Sequence, residues 1–226
     1  DWGYYPDLFN IDPSEETIRK EFRELRESGF NLVKVCLFVF PRRFYDIADE
    51  TGMLLWQEYP TWLYIHFPQA GDNRLDADFL REYPEWFRFD RSRASIVLRD
   101  LTCEAHINPN WDLLERVYRI GKEMTGDAML CDNSSFFTHR ITDWYVCHTY
   151  RDLDDYYSYF ATLAGEMRAK PESKPFLFGE DFDADTFRDS EAIRERHMRD
   201  GTPWWLDNEN FRGQLRFDET LRKDIG

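Results

Sequence analysis

No stretch of the chain approaches the roughly 20 consecutive apolar residues that a membrane-spanning helix needs; charges interrupt it throughout. Basic residues are in the minority, 29 Lys and Arg against 44 Asp and Glu, for a net charge of -15. A surface of that sign lacks the cations that displace counterions from a phosphate backbone, so no nucleic-acid partner is expected. The same deficit disfavours a strongly anionic polymer as a ligand. The opening run Asp1-Trp-Gly-Tyr-Tyr-Pro6 has neither a basic start nor an apolar core, so no signal peptide is expected there. Cysteine is scarce. Cys36, Cys103, Cys131 and Cys147 match no zinc spacing and read as buried free thiols, compatible with a reducing compartment. There is no low-complexity tract and no internal repeat beyond a rhythm of alternating elements.

What the chain does contain is material for a large core. Its 226 residues are 42% hydrophobic, enough for one large domain. Helix and strand signals alternate along it. Asp12-Pro-Ser-Glu15 reads as a helix start, with Asp12 capping, Pro13 in the first turn and Glu15 completing a capping box. Ile18, Phe22 and Leu25 then form an apolar stripe that ends at Gly29. Residues 31–38 are a continuous apolar run, as expected of a strand covered on both faces. Helices are expected over 42–51, 76–87, 111–124 and 153–168. Further strands are expected over 53–58, 96–103, 127–131, 144–149 and 175–178. This alternation predicts βα units and a parallel sheet. Six strands are evident. If they are the second to seventh of eight, the fold is an α/β barrel of the (β/α)8 type with its first and last strands weak or missing. The whole of 1–226 then reads as one barrel domain, a segment of a larger multidomain protein.

Two glutamates stand directly after strand runs: Glu104 closes Ser95-Ile-Val-Leu-Arg-Asp-Leu-Thr-Cys-Glu104, and Glu180 closes Lys174-Pro-Phe-Leu-Phe-Gly-Glu180. The C-terminal tip of a strand is where such a barrel presents chemistry. The 76 residues between them accommodate three βα units of about 25 residues each.

Several runs carry a family resemblance. Phe44-Tyr-Asp-Ile-Ala-Asp-Glu-Thr-Gly-Met-Leu-Leu-Trp-Gln-Glu58 resembles the third-strand region of the glycoside hydrolase family 2 catalytic barrel, and Gly29-Phe-Asn-Leu-Val-Lys34 the run before it. Arg91-Ser-Arg-Ala-Ser-Ile-Val97 followed by Thr102-Cys-Glu104 resembles that family's Arg-Asn-His-Pro-Ser-Ile … Asn-Glu acid/base strand. Lys174 to Glu180 resembles its nucleophile strand. The order and spacing match over roughly residues 16–182.

The resemblance implies a retaining β-glycosidase of the clan A type, with Glu104 as general acid/base and Glu180 as nucleophile. It implies a β-linked carbohydrate substrate, no metal or organic cofactor, and possible accessory β-sandwich domains in the full-length protein. His148 and Tyr150, in Cys147-His-Thr-Tyr150, fall where related enzymes contact the sugar and the nucleophile. Glu58, Trp62, Lys34, Asn133, Trp144 and Trp205 are further candidates for substrate binding. The chain departs from the family in three places. Val39-Phe40-Pro41 stands where the family keeps His-Tyr-Pro. Cys103 stands where the family keeps the Asn that donates to the sugar 2-hydroxyl, and a thiol is a weak donor. Lys34 stands where it keeps an Arg, and cannot form the same bidentate fork. These departures leave a non-catalytic carbohydrate-binding homologue as an alternative, with a metal-dependent barrel hydrolase behind it.

Overall fold

The computed structural model describes residues 12–62, 73–105, 110–135, 139–148, 153–169, 172 and 174–180. They divide into two compact units: residues up to Cys147 together with Lys174–Gly179, and His148–Ser173 together with residues from Glu180 onward.

The first unit is a parallel sheet wrapped by helices. It opens with α1 (Glu15–Glu27), whose cap differs from the expected one. Ser14, not Asp12, is the N-cap, its hydroxyl accepting the Thr17 N–H at 3.1 Å. Asp12 instead accepts from Arg43 Nε at 2.8 Å, so the guanidinium holds the carboxylate that would have capped. Glu15 is therefore the first helical residue, and no capping box forms. Ile18 and Phe22 are buried, and Gly29, at φ +91, turns the chain out of the helix as expected.

Strands β1 (Leu32–Val35), β2 (Leu54–Glu58), β3 (Ile96–Asp100) and β4 (Met129–Cys131) then lie side by side in chain order, all parallel. Between them run α2 (Arg42–Thr51), α3 (Asn73–Asp90) and α4 (Trp111–Thr125). Each crossover leads to the adjacent strand. This is the α/β architecture the apolar runs predict, and all six expected strands are present. The sheet is not closed: β5 (Tyr145–His148) and β6 (Phe176–Glu180) form a separate two-stranded sheet, with the Tyr145 N–H donating to the Pro175 carbonyl at 2.8 Å. The strand expected over 96–103 ends at Asp100, and Cys103 rejoins the sheet as an isolated bridge. All four cysteines are free thiols, three of them buried and Cys36 half-buried.

Because successive strand residues point to opposite faces, each strand serves two cores. One face packs on the helices. Phe22 of α1, Phe44 and Ile47 of α2 and Val33, Val35 and Leu55 of the sheet form one cluster. Phe87 of α3, Leu113 and Val117 of α4 and Leu130 of β4 belong to another. Arg99 also points to this face, where it donates to Asp90 Oδ1 at the end of α3 (3.0 Å), while Tyr59 donates its hydroxyl to Asp90 Oδ2 (2.7 Å). The opposite face carries Trp56, Leu98, Cys131, Trp144 and Val146. In the second unit, α5 (Leu153–Ala169) is the one helix described.

Candidate active site

On the face turned away from the helices, side chains stack in layers set by strand register. Lys34, Trp56, Leu98 and Met129 are register partners; two residues further along, Glu58, Asp100 and Cys131 form the next row. Charges enter this otherwise apolar face at the C-terminal ends of the strands. Lys34 Nζ lies 3.2 Å from Glu58 Oε1, with the two side chains 4% and 0% exposed. The same ammonium is 5.6 Å from the centre of the Trp56 ring, whose Nε1–H donates to Asp100 Oδ2 at 2.6 Å. Burial pushes the Asp100 carboxyl well above the usual carboxylate range, and the charge of Glu58 pushes it further; Lys34 and the Trp56 hydrogen bond offset this only in part.

Beyond the strand ends, the backbone keeps its pairing for a few residues. Cys103 bridges to Trp62 on one side and to Ser134 on the other, both in parallel sense. The Cys103 N–H donates to the Thr61 carbonyl at 2.9 Å, the Ser134 N–H to Thr102 O at 2.8 Å, and the Glu104 N–H to Ser134 O at 2.7 Å. Glu104 itself has φ +53, in the left-handed region that a residue with a Cβ enters at a cost of about 1–3 kcal/mol. Its Oε2 accepts the Trp62 Nε1–H at 3.1 Å. Trp62 is 44% exposed and Glu104 half-buried, so this pair presents an indole edge and a carboxylate to solvent. Asn133 is fully buried. Its Oδ1 accepts the Ala105 N–H at 2.9 Å and its Nδ2 donates to the Ala105 carbonyl at 3.0 Å.

The connection from β4 to β5 is fastened by Asp132. Its Oδ2 accepts the N–H groups of Arg140 and Ile141 at 2.7 and 2.9 Å, and its Oδ1 accepts His139 Nδ1 at 2.8 Å. His139 Nε2 in turn accepts the Val146 N–H at 3.3 Å. Cys131, Asp132 and His139 lie close enough together to hold a metal ion. However, burial, together with the nearby charges of Asp100 and Asp132, pushes the Cys131 thiol well above its usual range. A metal needs the thiolate, and the imidazole and carboxylate are already committed to hydrogen bonds. The cluster reads as a loop fastening.

In the second unit, His148 Nδ1 is 3.7 Å from Glu180 Oε2; the imidazole is buried and the carboxylate side chain is 16% exposed. Tyr150 and Trp205 lie outside the described residues. Trp144, expected to line a cleft, is instead fully enclosed. It packs edge-on against Trp56 at 6.3 Å between ring centres, within the apolar layer beneath the charged row. With no exposed surface here, the indole fills the core. Lys34 and Glu58 are likewise enclosed and face each other.

Asp100 and the Asp132–His139 fastening were not singled out in the sequence. The signal for Asp100 was present: a charge at an alternating position of a strand whose neighbours Ile96 and Leu98 are apolar. Asp132 follows a strand in the same way, but nothing in its spacing from His139 distinguishes a fastening from a ligand pair.

No family model matches the chain. A protein of Formosa agariphila named "Putative beta-glucuronidase" is 29% identical over 90 residues, 39% of this chain and 9% of that protein. Two solved structures of Ruminococcus gnavus β-glucuronidase share the fold. One, in complex with uronic deoxynojirimycin, has a TM-score of 0.68 at 16% identity over 83% of this chain and 36% of its own. The other, in complex with a C6-substituted uronic isofagomine, has a TM-score of 0.67 at 15% identity over 88% and 40%. The chain therefore spans well under half the length of the proteins it resembles, and the structural likeness is one of fold.

Proposed function

We propose that the chain is the catalytic (β/α)8 barrel portion of a retaining β-glycosidase whose substrate class is the β-glucuronides. The observation that carries the reading is the setting of Glu104: a half-buried carboxylate at a strand tip, in a left-handed conformation, hydrogen-bonded by a half-exposed tryptophan. Strain held in place by surrounding bonds is characteristic of functional positions. Glu180, the other strand-tip carboxylate, has an imidazole beside it. The sugar class is supported by the names of the similar proteins and by the uronic ligands in the solved structures.

In this mechanism Glu180 attacks the anomeric carbon while Glu104 protonates the departing glycosidic oxygen, giving a glycosyl ester on Glu180. Glu104, now ionised, takes a proton from water, which attacks the same carbon and releases the sugar with its original β configuration. The indole of Trp62, beside the acid, is placed to form a wall for the leaving group, since an aromatic face suits a sugar or aryl aglycone. His148 orients the Glu180 carboxylate.

The test is turnover of aryl β-D-glucuronides, beside a panel of other aryl β-glycosides, by the full-length protein. Glu104→Gln and Glu180→Gln are expected to lower kcat/KM on a poor leaving group by about 10²-fold or more. The first product seen by NMR is expected to be the β anomer. Glutamine variants as active as the parent, or an α anomer formed first, would overturn the reading.

A further inference from the structure

The fully buried amide of Asn133 does something that its burial alone does not require. We infer that Asn133 is a positioning residue for Glu104: its carboxamide stands in for a peptide unit and pairs with both main-chain groups of Ala105, locking the acid/base in its left-handed conformation. The inference rests on the reading of Glu104 as the acid/base.

Backbone pairing between the segments after β3 and β4 runs through Thr102 O with Ser134 N–H and Glu104 N–H with Ser134 O. The next residue on the β3 side is Ala105, which is buried and whose N–H and C=O both need partners. Asn133 supplies both, accepting from the N–H at 2.9 Å and donating to the carbonyl at 3.0 Å. The Thr102 hydroxyl, 3.3 Å from the same Oδ1 and 2.9 Å from the Asp132 carbonyl, fixes the amide from the other side.

Glu104, at φ +53, is thus pinned on both flanks: its own N–H on Ser134 O, and the following residue on Asn133. A non-glycine residue held in that region relaxes when its neighbours are released. Relaxation would swing the carboxylate off the Trp62 indole. Few residue types can play this part. Asn has one donor and one acceptor at the right reach; Asp of the same shape can accept but not donate; Ala can do neither. The contact is with backbone and not with ligand, so the consequence for catalysis travels through geometry.

A mispositioned acid has a kinetic signature that a loosened fold does not share. For kcat/KM, which reports the first bond cleavage, a poor leaving group needs the proton and an activated one does not. The experiment compares the parent with Asn133→Ala and Asn133→Asp, in the full-length protein, on p-methoxyphenyl and 2,4-dinitrophenyl β-D-glucuronides, with thermal unfolding of each variant recorded. Asn133→Ala is expected to lose about 10²-fold or more on the p-methoxyphenyl substrate and less than about 3-fold on the dinitrophenyl one. Asn133→Asp, which keeps the acceptor for the Ala105 N–H, is expected to fall between Ala and the parent. If Asn133→Ala does not fold, Asn133→Asp carries the same comparison. Equal losses on both substrates would mean a structural role only and overturn the inference while leaving the proposed function standing. Variants equal to the parent on both would overturn it in the same way. A parent inactive on every aryl glycoside would overturn both.

Discussion

Replacing Lys34 with methionine keeps most of the volume of the side chain and removes its ammonium. Glu58 then remains in an enclosed layer that already contains Asp100, with its own side chain 0% exposed and the 3.2 Å partner gone. Breaking a buried ion pair by deleting one member costs about 3–5 kcal/mol, because the surviving charge has no solvent to return to. Urea unfolding followed by tryptophan fluorescence at neutral pH measures it. Adding Glu58→Leu, which removes the stranded carboxylate, should recover most of the loss. A cost below about 1 kcal/mol would refute the account of the charged layer.

Three further outcomes are expected. Asp100→Asn keeps an acceptor for the Trp56 N–H but cannot ionise; because the folded pKa of Asp100 is raised by burial and by Glu58, the parent loses stability as pH climbs above about 3.9 and the variant does not. The difference in Tm, variant minus parent, should grow with pH, and a constant difference counts against the assignment. Gly121→Ala would place a Cβ 2.7 Å from Leu130 Cδ1 and 2.8 Å from Phe87 Cζ, so overpacking of about 1–3 kcal/mol should outweigh the better helix propensity, and a raised urea midpoint would contradict the packing of α4 on β4 and α3. Tyr59→Phe removes the 2.7 Å hydrogen bond to Asp90, a carboxyl only 2% exposed, and should cost about 1–3 kcal/mol in urea unfolding; no loss would mean that Arg99 alone satisfies it.

The fold was legible in the sequence wherever a strand is covered on both faces, since such strands read as continuous apolar runs such as residues 31–38. Boundaries were less so. Asp12 and Ser14 are both good capping residues, and the choice between them was made by Arg43, 31 residues from Asp12. The charged layer was only half visible: Lys34 and Glu58 were noticed one by one, but it is strand register that sets Glu58 beside Asp100, 42 residues further along. The burial of Trp144 was not legible, because an indole before a strand looks the same in sequence whether it fills a core or faces a ligand. The left-handed backbone of Glu104 had no signature, because such a conformation is usually flagged by glycine and here is imposed by Ser134 and Asn133.

Cys103, flanked by bridges to Trp62 and Ser134, has its main chain held in the sheet, its N–H donating to the Thr61 carbonyl. Main-chain pairing of this kind is open to every residue type except proline, so the course of the chain into Glu104 does not depend on which side chain stands at 103.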